Sequence, residues 1–433
     1  MTPPTSSRRS QTIANWSLVG AAALAFCVLI SLSPAHPIYD EPWFLDTIVL
    51  FKQRGFTVDF FREFPGAPGP TFTIVYALID RVLGLAFPWS RFISFALLIA
   101  ATILMWRILK MTLAGRDPAS AALSPNPVPS PALLAASFTM LPTVGLSAGM
   151  ILTEMPAALL MVAALWLLGK IIADKTWQPL SIPAALVCGL MMAAAVLGRQ
   201  NYIVILPCLL LAVRWRSGAP NRRDIVPMAL IGAVVLLVAG PVFLLWGGFV
   251  PPRSALDGAG ASLSNGIRSA DYAGAIIALF APEIYAVLVR RKWLAFAIAI
   301  VSIALPFTID RPIVPLASLL GPLLSEPMIP IAGIAFNVLL SLMAVSFLVC
   351  WAIFIWQERA DWFTRLCGCT ALAGIISNAK ITHQFSSRYV FVFLPFLLLA
   401  AAPAVRSTWH QPVRLAIGAG ISLGALVSYY LAG

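Results

Sequence analysis

Apolar residues in this chain come in long unbroken runs, not at one-sided helical or alternating strand spacing. A run of about 20 such residues matches the hydrocarbon thickness of a bilayer, whereas a half-buried helix in water keeps a polar face. The first run covers 15–32. Later runs fall at about 91–112, 131–150, 154–173, 181–198, 201–213, 225–247, 272–289, 293–309, 329–356, 362–378, 389–405 and 413–431. The pattern predicts an all-α polytopic membrane protein with about 13 transmembrane helices.

One more apolar stretch, 71–87, carries Asp80 and Arg81 at its centre. Charges at the bilayer midplane are costly. If the stretch spans, the later basic clusters fall outside; if it lies along the outer surface, they fall inside. The positive-inside rule favours the second arrangement, with 71–87 along the outer surface.

Before it comes the first long polar interruption, 34–70. It opens on Asp40-Glu41 and adds Asp46, Asp59 and Glu63, interleaved with Trp43, Phe44, Phe51, Phe56, Phe60, Phe61 and Phe64. Acids alternating with aromatics describe amphipathic surface helices, one face for lipid and one for chemistry. The expected organisation is a single integral membrane domain over 1–433, with a first outer loop, 34–88, that holds these helices. No loop is long enough to add a soluble domain.

Composition narrows the partners. The 433 residues are 60% hydrophobic and 11% charged, with a net charge of +12. In a soluble protein that charge would suggest nucleic acid. Here the basic residues sit in short loops, where they orient the chain and meet anionic headgroups, so no nucleic-acid partner is expected. Arg8-Arg9 set the N-terminus in the cytoplasm, and no signal peptide is read. In this frame most of the 29 basic residues face inward, with few acids beside them. Pro125 to Pro131 reads as a stiff inner linker.

All six cysteines lie within apolar runs, and Cys367-Gly368-Cys369 reads as packing, not as a metal site. With three histidines in the chain, a histidine-based metal centre is not expected.

Four polar groups reach the outer face in this topology: Asp40-Glu41, Glu154 at the start of a span, Arg199-Gln200-Asn201 at a turn, and the run from Lys380 to Arg388 that leads into Tyr389. Ionisable residues at a membrane carry a solvation cost unless paired or wetted, which makes them functional candidates. Each also has a plainer reading. Asp40 suits a helix cap before Glu41-Pro42. Glu154 suits a first helical turn. Arg199 could simply bridge to Glu154, and Lys380 and Arg388 could be interface anchors. No phosphate-cradling glycine loop is present and no inner loop can enclose a nucleotide sugar, so an activated donor would have to arrive from the bilayer.

These residues resemble the GT-C glycosyltransferases, which use polyprenyl- or dolichyl-phosphate sugars. The likeness is nearest to the dolichyl-phosphate-glucose α-1,2-glucosyltransferases. Their first lumenal loop opens on Asp-Glu and an aromatic, as Tyr39-Asp40-Glu41-Pro42-Trp43 does, and a Pro/Gly-rich stretch follows, as in the run from Phe64 to Phe72. Gly198-Arg199-Gln200-Asn201 is similar to the family's Phe-Arg-Gln-Thr-Asn run, one residue shorter and without the Phe and Thr. Ser387-Arg388-Tyr389 is a reduced form of its Asn-Arg-His-Tyr run.

The resemblance implies an inverting hexosyl transfer from a polyprenyl-phosphate carrier to a lipid-linked glycan or another acceptor. Asp40 would be the general base, with Glu41 and Glu154 orienting acceptor or sugar. Arg199 and Arg388, with Lys380, would hold the departing phosphate. Gln200 and Asn201 would bond sugar hydroxyls, and His383 and Tyr389 would complete the substrate-binding set. Partners would be the lipid donor, a glycan or lipid acceptor and membrane lipids. No cofactor is predicted, although three acids are compatible with a divalent metal. Short loops and the Ala/Leu/Pro content suit a bacterial inner membrane with the site facing the periplasm. The alternative is a transporter or flippase for a lipid-linked or anionic substrate, which would use the same cations without a base.

Overall fold

The computed structural model describes residues 5–66, 68–84, 87–114, 129–173, 181–217, 222–252, 260–305, 328–357, 362–381, 385–408 and 410–432. Every regular element among them is helical. In chain order, α1 (Thr5–Ser31) leads into an outer layer of α2 (Glu41–Arg54), α3 (Val58–Arg62) and α4 (Thr71–Leu83). The body follows as α5 (Arg91–Ala114), α6 (Pro131–Ser137), α7 (Val144–Gly149), α8 (Glu154–Ala173), α9 (Ile182–Gly198), α10 (Ile205–Ser217) and α11 (Arg222–Trp246). It closes with α12 (Leu263–Phe280), α13 (Ala286–Arg290), α14 (Lys292–Ala304), α15 (Met328–Gln357), α16 (Trp362–Ser377), α17 (Arg388–Phe391), α18 (Leu394–Ala401) and α19 (Gln411–Ala432).

Among the described residues five helices are long and apolar enough to cross a bilayer: Ile13–Ser31, Arg91–Leu113, Ile225–Trp246, Pro330–Gln357 and Gln411–Leu431. Helices of that kind make the chain an all-helical integral membrane protein. Some of the other apolar stretches are divided between shorter helices set end to end, whereas α8, α9 and α16 each match their stretch as one helix. α6 and α7, for example, are joined through the 3-10 segment Phe138–Met140. The 13 stretches seen in the hydropathy are therefore not 13 single helices.

α18 is the innermost element, with all its residues buried. Against it pack α16 and α12, and elsewhere in the body α8 buries Met161 and Leu165 while α9 buries Cys188 and Met192. Side chains such as Leu24, Leu244 and Leu431 remain exposed on the outside of the bundle, as lipid-facing positions should. Helix pairs in lipid gain by close approach at small residues. Gly145 illustrates this, since a Cβ there would collide with the Ser422 carbonyl on α19.

The outer layer is held by aromatic packing. Phe44 of α2 meets Phe72 of α4 at 5.5 Å between ring centroids, and Phe51 meets Phe60 at 5.1 Å. Thr47 and Thr73 share a hydrogen bond of 2.7 Å. Asp80 pairs with Lys52 of α2, so its charge is met within this layer and not by a helix of the body. α4 touches the body near helix ends: Thr71 donates to Ala194 of α9, and Tyr76 bonds Ser94 of α5.

The stretch 272–289, expected as one straight span, is bent: the helix Leu263–Phe280 turns by 109° into Pro282–Arg290, and the two qualify as a span only together. Pro282 lacks the N–H that would continue the ladder. The polar start of α12 is buried against its neighbours: Asn265 donates to the Ile381 carbonyl at 2.6 Å, and Ser269 accepts from Asn378 at 3.0 Å. A hydropathy window misses such a start. Asp271 is likewise buried inside α12. The inner linker lies mostly outside the described residues; its last member, Pro131, opens α6 after the Ser130 cap, whose hydroxyl accepts from the Leu133 N–H at 3.2 Å.

A candidate active site at one end of the helix bundle

Asp40 occupies the N-cap position of α2, yet its side chain makes no cap hydrogen bond. It reaches instead to Arg388 on α17, 2.5 Å away. This decides against the helix-cap reading of Asp40. The turn is set one residue earlier: Tyr39 adopts φ +51°, a left-handed conformation that only this non-glycine residue shows among those described. Such backbone costs on the order of 1–3 kcal/mol and persists where its surroundings hold it. Here the Tyr39 ring packs on Tyr429 of α19 at 4.7 Å.

Arg388 also faces Glu154, the first residue of α8, with its Nε 3.7 Å from Oε1. The same Glu154 oxygen accepts from Arg199, which follows the end of α9. Asp40, Arg388, Glu154 and Arg199 thus form one string of alternating charge. Glu154 is buried, and its second oxygen, Oε2, has no hydrogen-bond partner among the described residues. Burial pulls the Arg388 pKa down, but the Glu154 and Asp40 carboxylates outweigh it and the net shift is upward. Arg388 therefore keeps its charge throughout the working pH range.

Beside this string opens a pocket of about 170 Å³. Its walls include Trp43 and Phe44 from α2, Pro68 from the Pro/Gly stretch, Arg199, Gln200 and Asn201 from the turn after α9, and Arg388 and Tyr389. Asp40 and Glu154 are not among the lining residues; both sit against Arg388 at its edge. The Asp40 side chain is 41% exposed, so it stays open to an incoming group. The wall near Pro68 is fixed by Gly69, where a Cβ would collide with the Leu197 carbonyl of α9.

Glu41, adjacent to Asp40, has a different setting. Its carboxylate is fully buried and takes two hydrogen bonds from Arg91, from Nε at 2.9 Å and from a terminal nitrogen at 2.6 Å. It also accepts the backbone N–H groups of Ile38 at 3.0 Å and Ile151 at 2.9 Å. Arg91 donates further to Ser33 and to the Pro34 and His36 carbonyls. The Phe87 ring lies 4.4 Å from this guanidinium. Four donors occupy Glu41, which leaves it no lone pair directed at the pocket. The pair ties the first outer loop to the start of α5 and to the strand-like link before α8.

Arg91 was not anticipated as part of the site. An arginine at the start of a span reads as an interface anchor, and nothing in the sequence marks it as dry. Asn378 was also missed. It is fully buried and accepts from Asn201 at 3.0 Å while donating to Ser269 at 3.0 Å, so it fixes the pocket's Asn201 wall to α12. Lys380 is exposed and does not line the pocket. His383 lies outside the described residues. No group of three or more His, Cys, Asp or Glu side chains with metal-site geometry occurs among the described residues.

No protein-family model matches the chain, and no curated protein matches it. Among solved structures it is similar to the Archaeoglobus fulgidus oligosaccharyltransferase in its apo form, with a TM-score of 0.45, 16% identity, and 96% of this chain and 56% of that one covered. The same enzyme tethered through a disulfide bond to an acceptor peptide with the NVT sequon gives a TM-score of 0.43 and 14% identity, covering 96% and 55%. The chain spans about half the length of these structures. At this distance no residue role is carried across.

Proposed function

We propose that the chain is a GT-C-type glycosyltransferase that moves a hexose from a polyprenyl-phosphate carrier to a lipid-linked glycan or another acceptor, with inversion. The observation that carries this reading is the string Asp40–Arg388–Glu154–Arg199 beside a pocket with an aromatic and a polar wall. An anion entering between Arg199 and Arg388 would compete with the carboxylates for both cations. Donor binding would then release Asp40 from Arg388 as the phosphate takes its place.

The freed carboxylate, within about 3 Å of an acceptor hydroxyl, takes its proton while the oxygen attacks the anomeric carbon. The bond from that carbon to the phosphate oxygen breaks on the opposite face, and its electron pair leaves with the carrier phosphate. Two fixed guanidinium groups meet the charge that develops there. Gln200 and Asn201 supply amide bonds for sugar hydroxyls, and Trp43 offers a ring face to the sugar. In this reading Glu154 positions the two cations and Glu41 positions Asp40. The site would face the periplasm of a bacterial inner membrane, in line with the basic loop residues that the sequence places on the cytoplasmic side.

The flippase reading gains little from the broken segment 263–290. Its two helices qualify as a span only together, and no second bent pair of this kind occurs among the described residues, whereas repeat-built transporters carry interrupted helices in both halves.

The test is transfer by purified protein. Radiolabelled polyprenyl-phosphate hexose and a membrane lipid extract are supplied to wild type and to Asp40→Asn. Label reaching a new lipid or glycan with wild type alone is the expected result. Equal transfer by both proteins would remove Asp40 as the base, and movement of unmodified donor across the bilayer without transfer would replace the enzyme with a flippase.

A further inference from the structure

A second polar pocket lies at the opposite end of the bundle. α12 starts beside Asn378 and Ile381, near the first pocket, and its 18 residues carry the chain roughly 27 Å further on at 1.5 Å per residue. Ala404 borders a cavity of about 240 Å³ formed where the chain turns by 109° after α12. Arg290 and Arg291 line one part of it and Glu283 another, while Ile284, Val287 and Phe354 form an apolar wall. Oε1 of Glu283 accepts the backbone N–H of Arg406 at 3.3 Å. Its Oε2 is buried with no hydrogen-bond partner among the described residues. Buried polar atoms are nearly always satisfied, so an unmet carboxylate oxygen in a cationic pocket calls for a donor that the described residues do not supply.

Arg414 and Arg406 act on Glu283 from within the chain, yet no described residue hydrogen-bonds its Oε2, so the occupant that fits brings an anion for Arg290 and Arg291, a charged hydrogen-bond donor for Glu283 and an apolar portion for the wall. We propose that this pocket binds the headgroup of a phosphoethanolamine-type membrane lipid. Its phosphate lies on Arg290 and Arg291, its ammonium donates to Glu283, and its acyl chains follow Ile284, Val287 and Phe354 into the bilayer. The cavity is smaller than the roughly 300–1,000 Å³ usual for drug-sized ligands, which suits a headgroup better than a nucleotide sugar. A choline headgroup has no N–H to donate, and a glycerol headgroup has no positive charge.

The full-length protein, purified and delipidated, is titrated with phosphatidylethanolamine, phosphatidylcholine and phosphatidylglycerol of matched chains, and binding is read by native mass spectrometry. Phosphatidylethanolamine should bind roughly tenfold or more tighter than the other two, as the loss of one charge-assisted hydrogen bond implies. Glu283→Gln should reduce that preference, and the double variant Arg290→Gln/Arg291→Gln should weaken all three lipids. Lys292→Gln, next in sequence but not lining the cavity, should behave as wild type. Equal binding of the ethanolamine and choline lipids by wild type would overturn the proposal, as would an undiminished preference in Glu283→Gln. Should Glu283→Gln fail to fold, the wild-type comparison and the arginine variant still decide. Soluble glycerophosphoethanolamine that competes as well as the lipid would also overturn it, because the acyl wall would then contribute nothing.

Discussion

The Asp40 carboxylate and the Arg388 guanidinium lie 2.5 Å apart, brought together from the first outer loop and the start of α17. The proposed base and the proposed phosphate ligand therefore neutralise each other until a substrate separates them. Replacing Asp40 with Asn keeps the shape and removes the proton acceptor. Turnover should fall about 10²–10⁴-fold, the usual worth of a positioned general base. Donor binding, measured by equilibrium titration, should stay near wild type or tighten, because a carboxylate no longer competes for Arg388.

Arg388→Lys tests the other half of the pair. Lysine keeps the charge but loses the planar fork that lets one guanidinium face both Asp40 and Glu154. The donor KM should rise on the order of tenfold or more, the equivalent of one charge-assisted hydrogen bond. An unchanged KM with a lower kcat would move the phosphate contact to Arg199 alone.

Glu41 and Arg91 form a buried ion pair with every carboxylate oxygen engaged. Removing one partner strands the other charge in a dry site, at a cost of about 3–5 kcal/mol. Glu41→Gln and Arg91→Gln should each lower the unfolding midpoint of the purified protein markedly. The double variant should lose less than the sum of the two, the mark of direct coupling.

Gly69→Ala would place a Cβ against the Leu197 carbonyl, a backbone atom that cannot swing aside. The Pro68–Pro70 turn should shift off α9 and open the pocket wall. Activity should fall more than stability, and an alanine variant with wild-type turnover would show that this wall is not used.

The membrane body and the four charged groups were legible in the sequence for one reason. A bilayer demands long apolar runs, and any ionisable residue that interrupts them near an end stands out. Asp40, Glu154, Arg199 and Arg388 were found that way, and the structure brings those four together. Glu41 and Asp40 are neighbours of the same charge, and sequence offers no means to tell which one turns inward. Asn378 carries no charge to betray it. The start of α12 was lost because Asn265, Ser269 and Asp271 lower local hydropathy while being buried by other helices, a tertiary fact that a window average does not contain.

The Glu41–Arg91 clamp also separates the ways this protein can fail. Consecutive residues on a helix point about 100° apart, so Asp40 and Glu41 belong to different worlds despite their adjacency. A lesion at Asp40 should yield normal amounts of an inert protein, and one at Glu41 should yield little protein of any kind. In a population of variants, position 40 would be silent in an abundance screen and position 41 would dominate it, so a survey that counts only lost activity would score them as equals and misread the anchor as part of the chemistry.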